Sequence, residues 1–549
     1  MHKLAPFAER TRELGLLVFV GVALVLLFPY FEQTRNASER PRLLQAMAIV
    51  DAGELAIDGP ASRGLDPGPD VARSEHDGRL YPNKPPGMSV VAALGYRVAR
   101  MVSSPDDPLT LRRATFWARV FGGVVPTVLL CWFLVRRSSA VHGRTAAMGA
   151  VVLFVLATPA QAYAHLAYGH ALTAALTMVG VGVLVRAVVQ HPRSRRSPAW
   201  AFVGGALAGA AVGVEYSAAF AAIPIGLMLL WHARGPRTLG LAAMATMGAL
   251  ASVALLALYH RTVYGSMWQT GYHHVTDPGF AEKHGQGFLG LGWPRWEALH
   301  THVLAADTGL LWWAPLLPLA LYGLVRLGMH GQPHVRTEAR VCLGLWLVYL
   351  WVVSSLSFEG GWRVGPRYLV LVLPTLVLGW SEALSQIRTR ASWSMVVVAL
   401  ATYALVVDTL AASYWPHIDP TNIHHPVSEV LLPLWRGDLV PYGFGGAVWS
   451  ATTVEAIVVA IVVGGLAFLV RALEPRGSMV WAVVVGVVAG LAAVMATRAW
   501  PEHPKGARNL AYIERVWEPK SREPSHSVVL GPLETADGQD ARRRALPSR

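Results

Sequence analysis

The feature that most constrains this chain is an alternation. Apolar runs of ~20 residues, the length a bilayer-spanning helix needs, are separated by short arginine clusters. The first run covers 14–31. Twelve more follow, at 114–135, 146–162, 171–189, 199–214, 217–231, 239–259, 308–325, 341–357, 364–380, 393–411, 448–470 and 479–496. In lipid each backbone N–H and C=O must find its partner within the protein, so such runs can cross only as helices. The expected fold class is an all-α polytopic membrane protein with about thirteen transmembrane helices. The composition agrees, with 53% hydrophobic residues and 15% charged ones, against roughly 25% charged in soluble domains.

A stretch at Gly87–Met101 is too short and too amphipathic for a span. Arg97 and Arg100 share one face of it with Ala93. It reads as an interfacial helix. With that helix outside the bilayer, the clusters Arg136/Arg137/Arg144, Arg193/Arg195/Arg196, Arg234/Arg237, Arg326/Arg336/Arg340, Arg388/Arg390 and Arg471/Arg476 all fall on one side. Positively charged loops stay cytoplasmic. The N-terminus is therefore expected in the cytoplasm and the C-terminus outside. The first run reads as an uncleaved anchor, because no small-x-small site follows it.

The net charge of +13 is spent on these topology clusters, so no nucleic-acid partner is expected. Cys131 and Cys342 both lie in apolar runs, which leaves no disulfide or thiolate metal site. Neither CxxC, HExxH nor a P-loop occurs. Residues 1–499 read as one membrane domain. The tail, 500–549, is polar and rich in Pro and Arg, and is expected to be partly disordered, with one surface helix over 509–518.

The long segments all fall outside: 32–113, 260–307, 412–447 and the tail. The first opens with Ser38-Glu39-Arg40-Pro41-Arg42 and closes with Tyr81-Pro82-Asn83-Lys84-Pro85-Pro86-Gly87. Prolines stiffen that closing turn and fix Lys84 at the start of the interfacial helix. A carboxylate here suits a general base, and a rigidly held lysine suits a phosphate. Solvated charges facing lipid headgroups are the plainer alternative. In the loop Tyr163-Ala164-His165-Leu166-Ala167-Tyr168-Gly169-His170, His170 either caps a helix or faces a ligand. Glu215 stands at another tight outer turn. The turn Phe358-Glu359-Gly360-Gly361-Trp362-Arg363-Val364-Gly365-Pro366-Arg367-Tyr368 offers two arginines that suit a phosphate, with interfacial anchoring as the alternative. The loop 260–307 holds His273, His274, Asp277, His284, His300 and His302, with no standard ligand spacing, interleaved with Tyr272, Phe280, Phe288, Trp293 and Trp296. It reads as a lid over a sugar. Glu455 is the one acid expected within a span.

A first helix, an acidic-Arg motif opening a large outer loop, interfacial helices and a Lys-Pro-Pro turn together resemble the GT-C glycosyltransferases. The nearest layout is the group of the bacterial lipid A aminoarabinose transferase and the protein O-mannosyltransferases. The motifs cover the first 190 residues and the topology the whole chain. The resemblance implies transfer of a glycosyl unit from a polyprenyl-phosphate sugar donor to a lipid, glycan or protein acceptor. The reaction would take place at the outer face of the cytoplasmic membrane, with no cofactor. It implies catalytic roles for Glu39, His170 and Glu215, and substrate-binding roles for Arg40, Arg42, Lys84, Glu359, Arg363, Arg367 and Tyr368. The chain departs from the family where Asp-Glu is usual: it reads Ser38-Glu39. Glu39 is the nearest substitute base, with Asp51 and Asp58 behind it. A transporter or flippase of lipid-linked saccharides, or a polymerase or ligase, is the competing reading.

Overall fold

The computed structural model describes residues 5–29, 36–104, 106–285, 287, 290–357, 360–388, 390–437, 439–474, 477–516 and 529–530. The expected Glu359 and most of the tail lie outside them. Within the described residues the regular secondary structure is almost entirely helical. Each of the thirteen apolar runs carries helix, and eight helices are long and apolar enough to cross a membrane: Leu111–His142, His170–Gln190, Pro236–Tyr264, Pro333–Ser355, Arg367–Ile387, Ala391–Ser413, Ala451–Leu473 and Met479–Ala499. Shorter apolar helices occupy Arg144–Leu156, Ser197–Val212 and Tyr216–His232. Helices Ala5–Leu26 and Leu317–His330 account for the remaining two runs. This is a multi-pass membrane protein.

Without water to drive apolar burial, such helices associate through close backbone approach at small residues. Two pairs show it. A Cβ on Gly205 would lie 1.8 Å from the Ala245 carbonyl oxygen, and one on Gly323 would lie 2.0 Å from that of Gly379. Either alanine would force the helices apart.

The polar contacts sort the two ends of the bundle. At one end Glu13 holds Arg136 and Arg144 at 3.0 and 3.7 Å, Arg137 holds Glu338 at 2.6 Å, and Glu382 holds Arg326 and His142 at 2.7 and 3.1 Å. The basic clusters thus meet one another. At the other end the long segments meet: Phe28 N–H donates to the Tyr442 carbonyl at 3.1 Å, and Leu530 N–H to that of Leu109 at 2.8 Å. The C-terminal helix is Gly506–Val516, starting slightly earlier than the sequence suggests.

The first long segment folds as helix Arg40–Ala52, a short helix Asp58–Ser62, an antiparallel hairpin and helix Gly87–Met101. The hairpin pairs Val71–Arg73 with Leu80–Pro82 in the register Val71↔Pro82. Nothing in the apolar pattern announced it. Helix Gly87–Met101 does lie beside the bundle, exposing Val90, Leu94, Arg97 and Met101. Arg100 is not on that face. It pairs with Asp51 at 2.9 Å.

Candidate active site

Helix Arg40–Ala52 begins where the Asn36 side chain accepts the Ser38 and Glu39 N–H groups at 2.8 and 3.3 Å. This fixes three charged residues, Glu39, Arg40 and Arg42, in three directions. Glu39 turns into the protein and meets Arg119 through both oxygens, at 2.7 and 2.8 Å, while Oε1 also accepts the Ala167 N–H at 3.0 Å. Burial works against its charge, but Arg119 outweighs burial and holds the carboxyl below the usual range. Both oxygens are engaged and the side chain is sealed, so the expectation that Glu39 is the base gives way. Arg40 turns outward to Asp66 and takes no part in the cavity described below.

Arg42 turns the third way. It donates to the Ser38 hydroxyl at 2.6 Å and to Glu215 Oε1 at 2.6 Å, and its side chain is fully buried. Glu215 sits at the turn between helix Ser197–Val212 and the helical turn starting at Tyr216. Its Oε1 is approached by Gly169, whose Cβ would stand 3.1 Å away and whose φ of +95° favours glycine. Its Oε2 has no hydrogen bond among the described residues. Glu215 lines a cavity of about 270 Å³ with Tyr272, His284 and Tyr368 on the polar side and Val212, Phe220, Val352 and Leu356 on the apolar side.

Lys84 stands behind the lining residue Tyr272. Its ammonium donates to the Tyr272 hydroxyl at 2.8 Å. Burial opposes its charge, but Tyr272, Asp70, Tyr368 and Glu215 favour it, and it is held above its ordinary range. Tyr272 is brought in by a close approach of two loops: a Cβ on Gly271 would lie 2.5 Å from the Asn83 carbonyl oxygen. His284 stacks on Tyr272, with ring centroids 4.1 Å apart. Burial first, and then Lys84, push its imidazole down to about 4.

The remaining residues divide. His170 is buried among Tyr163, Tyr168 and Tyr368, at ring distances of 5.2, 5.9 and 6.2 Å, near enough to Arg42, Lys84 and Arg367 to feel their charge. Arg367 donates to the Tyr368 hydroxyl at 3.2 Å. Arg363, the other arginine of that turn, is diverted. It donates to the Gly361 carbonyl at 2.9 Å and contacts Thr308 at 3.5 Å, as part of the loop packing. The two fallback acids serve structure: Asp51 accepts from Tyr96 at 2.9 Å and binds Arg100, while Asp58 accepts the Leu80 N–H at 2.9 Å.

The histidine-rich loop scatters rather than converges. His274 stacks on Tyr264 at 4.9 Å and His273 meets Thr270. Trp293 and Trp296 do not line the cavity and are exposed by 89% and 65%. Of the proposed sugar-stacking aromatics, the structure places Tyr272 in the cavity, and Phe288 lies outside the described residues.

Three charged residues escaped the sequence reading. Arg119 stands near the start of an apolar run, where an ionisable side chain signals a partner or a role. Asp70, in a Gly/Pro-rich stretch that looks solvated, is buried close enough to Lys84 and His284 to act on both. Asp408, inside helix Ala391–Ser413, is buried with neither oxygen hydrogen-bonded among the described residues. Glu455 is exposed.

The chain is similar to ArnT from Cupriavidus metallidurans. The structure of that protein bound to undecaprenyl phosphate shares 14% identity over 91% of this chain and 78% of that one, with a TM-score of 0.49. The archaeal oligosaccharyltransferase AglB from Archaeoglobus fulgidus, in complex with an inhibitory peptide and a dolichol-phosphate, shares 13% identity over 96% of this chain and 62% of that one, with a TM-score of 0.43. No protein-family model matches the chain, and no curated protein matches it.

Proposed function

We propose that the protein is a membrane glycosyltransferase. It takes a glycosyl unit from a polyprenyl-phosphate sugar and passes it to a hydroxyl or amine acceptor at the outer face of the cytoplasmic membrane. One observation carries this reading: Glu215 and Tyr272, the hydrogen-bond partner of Lys84, line a single cavity with an apolar wall and an aromatic, hydroxylated one. A prenyl chain suits the first wall and a pyranose the second.

In the reaction the acceptor oxygen or nitrogen attacks the anomeric carbon. The bond from that carbon to the phosphate oxygen breaks, and its electron pair leaves with the polyprenyl phosphate. Glu215 takes the acceptor proton on its unbonded oxygen, while Arg42 holds the other oxygen and fixes the carboxylate. Lys84 and Arg367 face the charge that grows on the leaving phosphate, where a preorganised cation favours the transition state over the ground state. Tyr272 orients Lys84, and Tyr368 orients Arg367. His170 packs behind Tyr368.

Purified protein incubated with a panel of polyprenyl-phosphate sugars and acceptors should release free polyprenyl phosphate together with a glycosylated acceptor. Movement of intact lipid without cleavage would replace the reading with a transporter. The face is tested separately. A cysteine at Glu75, which is 86% exposed, should react with an impermeant thiol reagent from outside. One at Arg195, at the basic end, should not.

A further inference from the structure

We propose that the groove between helices Leu317–His330, Leu376–Ile387 and Ala391–Ser413 binds an anionic glycerophospholipid from the leaflet opposite the candidate active site. The groove is lined by Leu316, Leu319, Val396, Val397 and Leu400 along its length, with Gln386, Arg326 and Arg390 at one end, and encloses about 640 Å³. Those polar residues belong to the basic end of the bundle, where Glu382 binds Arg326 at 2.7 Å and His142 at 3.1 Å.

Three observations select the occupant. The first is length. Leu316 to Arg326 on one wall and Leu400 to Arg390 on the other each span ten residues, or about 15 Å at the helical rise. That is half the ~30 Å hydrocarbon core, and so one leaflet's acyl chain. A polyprenyl tail is several times longer than the groove. The second is charge. Glu382 neutralises one guanidinium, while the exposed Arg390 has no carboxylate partner among the described residues. One cation is left for a phosphodiester carrying one negative charge. The third is depth. Tyr322 and Trp393 line the groove beside the arginines and are 57% and 48% exposed, as side chains at headgroup level are. Arg390 binds the phosphate, Gln386 a headgroup oxygen, and the apolar walls one acyl chain.

The test uses the full chain, delipidated in detergent. It is titrated with dioleoylphosphatidylglycerol, dioleoylphosphatidylcholine or undecaprenyl phosphate, and bound lipid is counted by native mass spectrometry. Phosphatidylglycerol should be retained in preference to phosphatidylcholine. Arg390→Ala should weaken it about fivefold, the worth of one basic residue at an anionic surface, and Arg390→Lys should restore most of that loss. Leu319→Trp, which fills the groove and leaves the cations in place, should abolish retention without lowering the melting temperature. Equal retention of both phospholipids, or an Arg390→Ala protein that binds as before, would reduce the groove to ordinary annular contact. Preferential retention of undecaprenyl phosphate, or a dimer closing over the groove, would overturn the assignment as well.

Discussion

Two buried acid–arginine pairs stand within one turn of the same helix start, and they do different things. Glu39–Arg119 is closed. Both carboxylate oxygens are bonded, a backbone N–H adds a third contact, and side-chain exposure is 1% and 2%. Glu215–Arg42 is open. One oxygen is held at 2.6 Å and the other is free of hydrogen bonds among the described residues, with Glu215 lining the cavity. A closed pair ties segments together: here it joins the first long loop, helix Leu111–His142 and the 163–170 loop. An open pair holds a carboxylate still while leaving it able to accept a proton. Proximity to a familiar motif thus does not tell which acid is sealed and which keeps an oxygen open.

The comparison breaks most easily at its closed member. Arg119→Met leaves Glu39 buried and unpaired, and should cost about 3–5 kcal/mol. The expected result is a large fall in melting temperature and in folded yield. Glu39→Gln should destabilise less and keep turnover in whatever protein folds. A stable Glu39→Gln protein without turnover would return Glu39 to the chemistry.

The open member should respond in the opposite sense. Glu215→Gln keeps the shape and the contact to Arg42 and should fold normally. Its turnover should drop by roughly 10²–10⁴, the usual worth of a general base, with donor affinity little changed. Near-normal turnover would move the search to Asp70, which lies close to the same lysine.

Lys84→Ala tests the cation that the open pair faces. Loss of one preorganised group opposite developing charge is worth about 10²–10³ in turnover. The deficit should be larger with donors whose leaving phosphate is the poorer leaving group. A deficit confined to donor affinity would make Lys84 a ground-state contact only.

The smallest effect is a pH slope. His284 is pushed down to about 4, chiefly by burial and then by Lys84, so it is neutral in the folded protein at pH 7. In the unfolded chain it returns to its ordinary value near 6.5, as the more protonated state. Between about pH 6.5 and 4 the unfolded chain binds more protons, so stability falls as pH falls through that window. His284→Phe keeps the stack on Tyr272 and should flatten this part of the stability–pH curve. An unchanged curve would place the imidazole in contact with water.

Helix positions, the gathering of the basic clusters at one end and the fixed turn that carries Lys84 were legible in the sequence because each depends on local information. Hydrophobic length defines a helix, charge between helices sorts its ends, and two prolines after Lys84 rigidify the turn that carries it. Glu39's role was not legible, because its partner stands 80 residues away. The same holds for Arg363 and Arg367. They are four residues apart on one turn, yet the first is drawn to Gly361 and Thr308 and the second to Tyr368 beside the cavity.

The sequence by itself determined that this chain is a bundle of apolar helices with the arginine clusters of its short loops gathered at one end and its long polar segments at the other, since a bilayer requires such runs to cross as helices and positively charged short loops to stay on one side. Only the tertiary structure decided which charges pair and which remain available. A buried charge is settled by whatever the fold brings within about 3 Å of it. For Glu39 that is Arg119 and the Ala167 N–H. For Glu215 it is Arg42 on one oxygen and, among the described residues, no hydrogen bond on the other.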